Sequence, residues 1–444
     1  MKKLIHRWAK TLIPFLMLVF MLAACGLLAD ETTAPENEAE STLPTPANTP
    51  DLTDAATQQP DIPIAAPILT FTVWTVPEIS TDSTIPGGDI LAGQMEAFNL
   101  THPDISLQVE QKSVLGQGSI LNYLRTGRDV APTVLPDVVL IPSGQLPDMV
   151  ADEQIFPLGA LEEAMYTDLF PVAREMATVD GELMGYPYTI SHLDHLAYDG
   201  TIITTAIPTT WNELVNLQGG TFVFPAAGPA GAELLLQFYL EQGGTLTDED
   251  GTVRLETEPL ATALSQFFGA SANDFIFPES DNLNNLQDTW RLYQENAASI
   301  ALSEAEVMLP PRTQGATSRF AVIPGTTNTF SPLVSSWIWA VSTPDPARQS
   351  IAAEFISWLG SAANMGEWSL QSGQIPSRRM AFEAWPAGDA YYNFLRDQAD
   401  IAEPLPPAAT TTVMNALTAA LVSVLNGSET PAGAAQTAAE AVNP

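Results

Sequence analysis

The sequence is almost free of cysteine. Cys25 carries the only thiol among the 444 residues. The chain therefore has no pair of cysteines for an internal disulfide and no set of thiolates for a metal site. Its fold must be stabilised by the burial of apolar side chains rather than by cross-links.

Basic residues are also scarce. The chain has 16 lysines and arginines against 52 aspartates and glutamates, a net charge of −36, and Lys112 is the only lysine after the first ten residues. Such a surface repels phosphate groups, so we predict no binding to nucleic acid and no direct binding to lipid headgroups. Solubility or a saline habitat explains the excess of acids at least as well as a cationic ligand does.

The N-terminus has the three zones of an export signal. Four basic residues occupy the first ten positions, an apolar run covers 11–22, and small residues then precede Cys25. An apolar run of about twelve residues is too short to span a membrane but fits a signal peptide. The tetrad Leu22-Ala-Ala-Cys25 resembles the lipobox of bacterial lipoproteins. The resemblance implies a signal peptide over 1–24 and a lipid on Cys25 that anchors the chain to the outer face of the membrane; the alternative is a signal-anchor helix.

Residues 26–67 lack aromatic side chains, lysine and arginine, and they contain seven prolines and eight acids. Such a segment cannot bury enough apolar surface to offset the entropy lost on ordering. We predict that 25–67, with the lipidated Cys25, is a disordered tether, extended by the repulsion of its charges.

The rest of the chain alternates between the patterns of strands and helices, which predicts an α/β fold. About 375 residues exceed what one hydrophobic core usually supports, so we expect two lobes. The clearest predicted strands are 68–74, 105–109, 135–141, 220–224, 299–302 and 320–323. The clearest predicted helices are 90–99, 120–125, one opened by a capping box at Thr210, 231–242, 345–359 and 412–425.

Short motifs follow one another along this region in a recognisable order. They are Val73-Trp74, Phe98…His102-Pro-Asp-Ile105, Leu135-Pro-Asp-Val-Val139, Asp180-Gly-Glu-Leu-Met-Gly-Tyr-Pro187, Leu196-Ala-Tyr-Asp199, Pro208-Thr-Thr-Trp-Asn-Glu-Leu214, Trp337-Ile-Trp-Ala-Val-Ser342, Ala352-Ala-Glu-Phe-Ile-Ser-Trp-Leu359 and Gly373-Gln-Ile-Pro-Ser-Arg378. In this order the chain resembles the extracellular solute-binding proteins of ABC importers, in the large family 1 that includes sugar-binding lipoproteins.

The resemblance implies a two-lobed, type II periplasmic-binding-protein-like α/β fold with discontinuous lobes and a hinge. We expect the first lobe at 68–190 plus 325–375 and the second at 195–322 plus 380–440. The implied function is to capture a small solute, a sugar or oligosaccharide, in the cleft between the lobes. Hinge closure would then deliver the solute to the membrane permease. We expect a monomer without a cofactor.

Sugar sites combine aromatic side chains with short polar groups, and in α/β folds they gather at the ends of strands. In such a cleft the candidate ligand contacts are Trp74, Ser143, Tyr188, Ser303, Glu304, Ser336 and Trp337. Trp339 points to the same side of its strand as Trp337, so one of these two indoles can be packed in the core. Trp211, Trp358 and Trp368 are expected in the core or at helix caps.

Metal binding and catalysis have weaker support in the sequence. His192-Leu-Asp-His195 could ligate zinc, but on an extended hinge segment the two imidazoles would face opposite sides, so we predict no metal site. The acids at 248–251 lack the spacing of an EF-hand loop. The sequence has no Gly-x-Ser-x-Gly, His-Glu-x-x-His or phosphate-loop motif, so we predict no catalytic residues and no enzyme.

Two other functions remain open at this point. A surface glycoside hydrolase needs only two carboxylates across a sugar, and the many acids of this chain could supply them. A sensory or scaffold lipoprotein with the same fold is favoured by Ser335-Ser336, which stands where the family usually has a glycine pair.

Overall fold

The computed structural model describes residues 68–130, 134–159, 161, 163–313 and 318–443. The signal peptide, Cys25 and the tether predicted over 25–67 lie outside these residues. Within the described part, no helix is both long and apolar enough to cross a membrane.

The strands are short and distributed along the whole described chain. In chain order they are β1 Leu69–Thr75, β2 Ile105–Gln111, β3 Val138–Pro142, β4 Thr178–Val179, β5 Glu182–Leu183, β6 Tyr186–Pro187, β7 Thr189–Ile190, β8 His195–Tyr198, β9 Phe222–Val223, β10 Ile300–Ser303, β11 Arg319–Ala321, β12 Leu333–Val334, β13 Trp337–Val341, β14 Ile375–Pro376 and β15 Glu403–Pro404.

The helices surround these strands. They are α1 Gly88–Thr101, α2 Ile120–Val130, α3 Leu146–Ala151, α4 Glu163–Thr167, α5 Pro171–Met176, α6 Trp211–Val215, α7 Pro229–Glu241, α8 Thr257–Ala272, α9 Leu286–Gln294, α10 Ala305–Thr313, α11 Pro346–Leu359, α12 Ala362–Ser372, α13 Ala390–Ile401, α14 Thr411–Leu425 and α15 Pro431–Val442. The predicted elements are confirmed, although their boundaries shift by a few residues.

The first sheet has five strands in the order β2-β1-β3-β13-β6. Strand β1 is parallel to both of its neighbours, with Val73 opposite Val109 and Val138, whereas β13 runs antiparallel to β3 and β6. The apolar strand β3 lies in the middle, where both faces of a sheet are covered. Around this sheet a first core packs Phe71 and Trp339 against Phe355 of α11.

The second sheet has four strands in the order β11-β8-β10-β9. Strand β10 is antiparallel to β8 and parallel to β9. The core around this second sheet is aromatic. Trp211 contacts Phe222, Phe238 and Phe267 there, at ring-centroid distances of 6.1, 5.1 and 5.6 Å. Helices α7, α8, α14 and α15 cover this core, so the two sheets are the centres of two separate lobes.

Three stretches of chain pass between the sheets: β6 to β8, β11 to β13, and the region of β14. They lie side by side, since β7 pairs with β14 and Ser191 forms a β-bridge with Ser335. The predicted discontinuous lobes thus arise because the chain enters the second sheet, returns to the first and leaves it again. We call these three side-by-side stretches the crossing region, and residues from both sheets meet there.

The N-termini of two helices test the capping interactions that the sequence predicts. At α11, Asp345 accepts a hydrogen bond of 2.9 Å from the amide of Ala347, as expected of an N-cap before Pro346. The capping box predicted at Thr210 is wrong in its contacts, although α6 does begin there. The hydroxyl of Thr210 donates to the carboxylate of Glu213 at 2.9 Å instead of accepting from a backbone amide.

Candidate ligand-binding cleft

Two adjoining cavities lie at the crossing region. The first, which we call the hinge cavity, has a volume of about 230 Å³ and is lined by Glu78, 190–193, 304–306, Trp337 and 373–375. The second, which we call the acidic cavity, has a volume of about 250 Å³ and is lined by His192, Asp194, Pro225, Pro229, Ala230, Glu233, 284–287 and Glu304. Both cavities share His192 and Glu304 as walls, so together they form one concave site.

Among the five main grooves in the described part of the chain, only this site is lined by residues that pack against both cores. A larger groove of about 620 Å³, for example, is lined by residues between Arg379 and Asp400. Its walls come from one continuous stretch of chain. Ligand sites of hinged proteins need contacts from both lobes, because only such contacts favour the closed state. We therefore take the hinge and acidic cavities as the candidate site.

The turn at His192 aims side chains into the site. His192 has a φ of 63°, a left-handed conformation that is uncommon for a residue with a side chain. Its carbonyl accepts a hydrogen bond of 2.9 Å from the amide of Asp194. Such backbone strain costs about 1–3 kcal/mol and is concentrated at functional sites. Here it places the His192 ring and the Asp194 carboxylate on the wall of the acidic cavity.

His192 is paired with a carboxylate of the second lobe. Its Nδ1 lies 3.4 Å from Oε1 of Glu233, which is carried by α7. Burial disfavours the charged ring, but the charge and hydrogen bond of Glu233 outweigh burial and raise the pKa of His192 to about 10. Since 51% of the side chain is still exposed, solvent screens part of this attraction. The raised pKa favours the imidazolium form of the ring at neutral pH.

Two further carboxylates share the acidic cavity with this pair. Burial and the neighbouring charges of Glu233 and Glu304 raise the pKa of Asp194. Burial also raises the pKa of Glu304 to about 7, against the opposing charge of His192. Glu304 stands between β10 and α10, and its carbonyl accepts the amide of Met308 at 3.1 Å in the first turn of that helix. The site thus holds more acid than base.

Two of the sequence-predicted contacts, Glu304 and Trp337, line the hinge cavity. Ser143, Ser336 and Tyr188 do not line this cavity, but hydrogen bonds place them close to Trp337. The amide of Ser336 donates to Oγ of Ser143 at 3.2 Å, and the amide of Tyr188 donates to the carbonyl of Trp337 at 2.7 Å. The structure therefore brings these five predicted residues into one region.

Tyr188 and the two remaining candidates, Ser303 and Trp74, do not line either cavity. Tyr188 stacks on Trp368 with ring centroids 4.4 Å apart, and Ser303 is also fully buried. Their hydroxyls have no hydrogen-bond partner among the described residues. Trp74 packs against Tyr123 and lies under the Lys112 ammonium, 4.8 Å from the ring centroid. Of the indole pair on β13, Trp339 is the one packed in the core.

Sequence reasoning found Glu304 but missed the other acids of the acidic cavity. The motif His192-Leu-Asp-His195 suggests only a zinc site, and nothing in the sequence marks Glu233 as a ligand contact. In the described residues no group of three or more histidines or acids could hold a metal ion. His195 is instead buried against Tyr391, whose hydroxyl lies 3.0 Å from its Nε2, and burial lowers its pKa to about 4. The useful signal was Asp194 between two histidines, on a segment expected at the hinge.

We expect Glu304→Gln to change how stability depends on pH. Between its ordinary pKa of 4.5 and about 7, Glu304 holds a proton in the folded chain that it lacks in the unfolded chain. The wild type therefore loses stability relative to the variant as pH rises through this window. Between pH 4.5 and about pH 7, the melting temperature of the variant should rise by at least about 2 °C relative to that of the wild type. Parallel melting profiles across the window would contradict the raised pKa of Glu304, and exposed Glu249→Gln is the control.

Comparison with solved structures identifies the architecture. The chain is similar to a maltose-bound MalE3 of T. maritima, with 18% identity, a TM-score of 0.65, and coverage of 84% of this chain and 98% of that one. It is similar to the sugar-binding protein MalE from Xanthomonas citri, with 17% identity, a TM-score of 0.69 and coverage of 84% and 96%. It is also similar to the maltose/maltodextrin-binding domain MalE from Bdellovibrio bacteriovorus, bound to maltotriose, with 20% identity, a TM-score of 0.60 and coverage of 84% of this chain and 98% of that one. These likenesses show the two-lobed fold of periplasmic binding proteins.

The family follows from the sequence itself. Residues 94–390 match the model of the bacterial extracellular solute-binding proteins. Because this match covers more than half of the chain, the protein belongs to that family, which works outside the cytoplasm and whose members bind solutes. No curated protein matches the sequence.

Proposed function

We propose that the protein is the solute-binding component of an ABC importer and captures a sugar or oligosaccharide in the cleft site. The observation that carries this proposal is that the site lies at the crossing region and takes its walls from both cores. Family membership supports solute binding. The three similar structures named above are sugar-binding proteins by their descriptions, which supports a carbohydrate.

Capture is coupled to a hinge motion in this proposal. The first lobe spans 68–190 plus 325–375 and the second spans 195–322 plus 380–440, with Phe170, Val172 and Ala173 packing into the second core. A solute that contacts Trp337 of one lobe and Glu233 of the other favours the closed state. The permease subunits of the importer would recognise that state.

The N-terminal segment would position the protein rather than bind the solute. A lipid on Cys25 would hold the protein, as a monomer, at the outer face of the membrane, and the acidic tether over 25–67 would leave the cleft free to reorient. The supporting observation is the order of basic, apolar and small residues that precedes Cys25.

A thermal-shift screen tests the proposed function. Maltotriose, maltose or another sugar at about 100 times its dissociation constant should stabilise the wild type by about 2.7 kcal/mol. Trp337→Ala should reduce this shift, because the indole on the cavity wall is the surface offered to a sugar face, whereas Trp337→Phe should keep most of it. A screen in which no sugar raises the melting temperature would contradict the proposal.

A glycoside hydrolase is the second candidate. Glu304 has the raised pKa of a general acid, and Asp194 is a second carboxylate on the wall of the same cavity. Chromatography of the sugar after prolonged incubation separates the two functions. An unchanged sugar that stabilises the protein supports the binding protein, and a shortened sugar supports the hydrolase.

A further inference from the structure

The acidic cavity is lined by more acidic than basic side chains. Three carboxylates, on Asp194, Glu233 and Glu304, line it together with one imidazolium, on His192. His192 is engaged by Glu233, with 3.4 Å between Nδ1 and Oε1. Asp194 and Glu304 are therefore left facing the same space without a cation of their own. Glu306 and Glu78 add two more acids on the adjoining hinge cavity.

Asp194 gives the second, independent sign that something binds there. It is only 5% exposed, yet its Oδ2 has no hydrogen-bond partner among the described residues. A buried carboxylate oxygen without a partner costs more free energy than almost any other buried polar atom. Such groups persist where a ligand supplies the missing donor, and Asp194 forms part of the cavity wall.

We propose that the acidic cavity is a subsite for a protonated amino group of the solute, and that the protein therefore selects an amine-bearing solute over its neutral counterpart. The subsite rests on the proposed function, because it names the chemistry of the solute that the cleft captures. An ammonium has three N–H donors and no acceptor. It can donate to Oδ2 of Asp194 and to the carboxylate of Glu304 at once, which a neutral hydroxyl with one donor cannot do.

The rest of the cavity wall fits a small polar solute. Asn284 and Gln287 carry side-chain amides that can bind hydroxyl groups, while Pro225, Pro229 and Leu286 offer apolar contact. The volume of about 250 Å³ is close to the lower end of small-molecule sites. An amino sugar meets all three features, with the ammonium on the carboxylates and the ring against the apolar wall. A linear polyamine shares only the ammonium chemistry.

Calorimetric titration of the full chain tests the subsite with matched probes. Glucosamine, glucose and N-acetylglucosamine differ only in the substituent at C2, and their β-1,4-linked disaccharides differ only in that substituent on each of the two rings. Spermidine is the arm for a solute that is not a sugar. We expect the amine to bind at least about tenfold more tightly than the hydroxyl or acetamide counterpart, since hydrogen bonds to charged groups are the strong ones.

The variants separate a ligand role from a structural one. Asp194→Asn and Glu304→Gln should each lower the affinity for the amine by at least about tenfold. The affinity for the neutral sugar should change little. Both variants should leave the melting temperature unchanged or raise it, because each removes a buried repulsion. A structural carboxylate would instead lower it. Glu249→Gln, at an exposed turn of the same lobe, is the control that should change neither quantity.

Each result decides the question. Equal affinities for the amine, hydroxyl and acetamide probes would overturn the subsite and leave sugar binding intact. Binding of spermidine without any sugar, lost in both variants, would support the subsite and contradict the sugar. If none of these amines binds, the subsite is overturned whether or not a neutral sugar does.

Discussion

Replacing Arg378 by methionine is expected to lower the free energy of unfolding by about 3–5 kcal/mol. Arg378 and Asp168 form a buried ion pair with side chains only 8% and 12% exposed, and Nε lies 2.8 Å from Oδ2. The guanidinium also donates to the carbonyl of Gly360 at 2.8 Å. Methionine matches much of the apolar volume but leaves the Asp168 carboxylate buried without its cation. Urea denaturation followed by tryptophan fluorescence measures the loss.

A control variant and a double variant test whether the loss comes from the buried ion pair. Arg396→Met removes an exposed pair, in which Nε lies 3.9 Å from Oδ1 of Asp397, and should cost less than about 1 kcal/mol. The double variant Arg378→Met with Asp168→Leu should recover most of the loss, because no unpaired charge remains buried. If Arg378→Met costs no more than Arg396→Met, the buried pair of Arg378 and Asp168 does not stabilise the fold as predicted.

Trp211→Ala is expected to cost about 3–5 kcal/mol, the usual range for a large aromatic lost from a core. The indole is 1% exposed and meets Phe222, Phe238 and Phe267 at the centre of the second core. Alanine would leave a cavity that these rings can fill only in part. The same denaturation experiment measures the cost.

Phe268→Ala is the matched control for Trp211→Ala. Phe268 is the neighbour of Phe267 on α8, yet 49% of it is exposed, so its removal should change stability by no more than about 0.5 kcal/mol. Similar costs for the two variants would mean that Trp211 is not central to the second core. A selective cost supports the prediction that this tryptophan is structural and not a ligand contact.

Much of the fold could be predicted because its signals are local. The apolar run at 135–141 predicted a strand covered on both faces, and β3 lies between β1 and β13. Asp345-Pro346 predicted the start of α11, and its cap is formed. At Thr210 the element was right and its hydrogen bonds were wrong, since Glu213 competes for the hydroxyl. Such side-chain competition depends on geometry that a sequence pattern does not contain.

The site was harder to predict because its residues are distant in the chain. His192, Glu233 and Glu304 come from three elements that only the crossing topology brings together. Glu304 and Trp337 could be found, since both lie at strand ends, where α/β folds form clefts. Tyr188 could not be judged, because its burial under Trp368 is set by the packing of α12. A single acid such as Glu233 on a buried helix carries no sequence signal that separates it from other acids.

Hydrogen–deuterium exchange with and without the best solute of the screen tests the central claim most directly. The account predicts protection on both sides of the cleft at once, in the peptides around 190–195, 225–233 and 303–306 and in those containing Trp337 and 373–375. Protection confined to one lobe, or centred on the groove between Arg379 and Asp400, would contradict it.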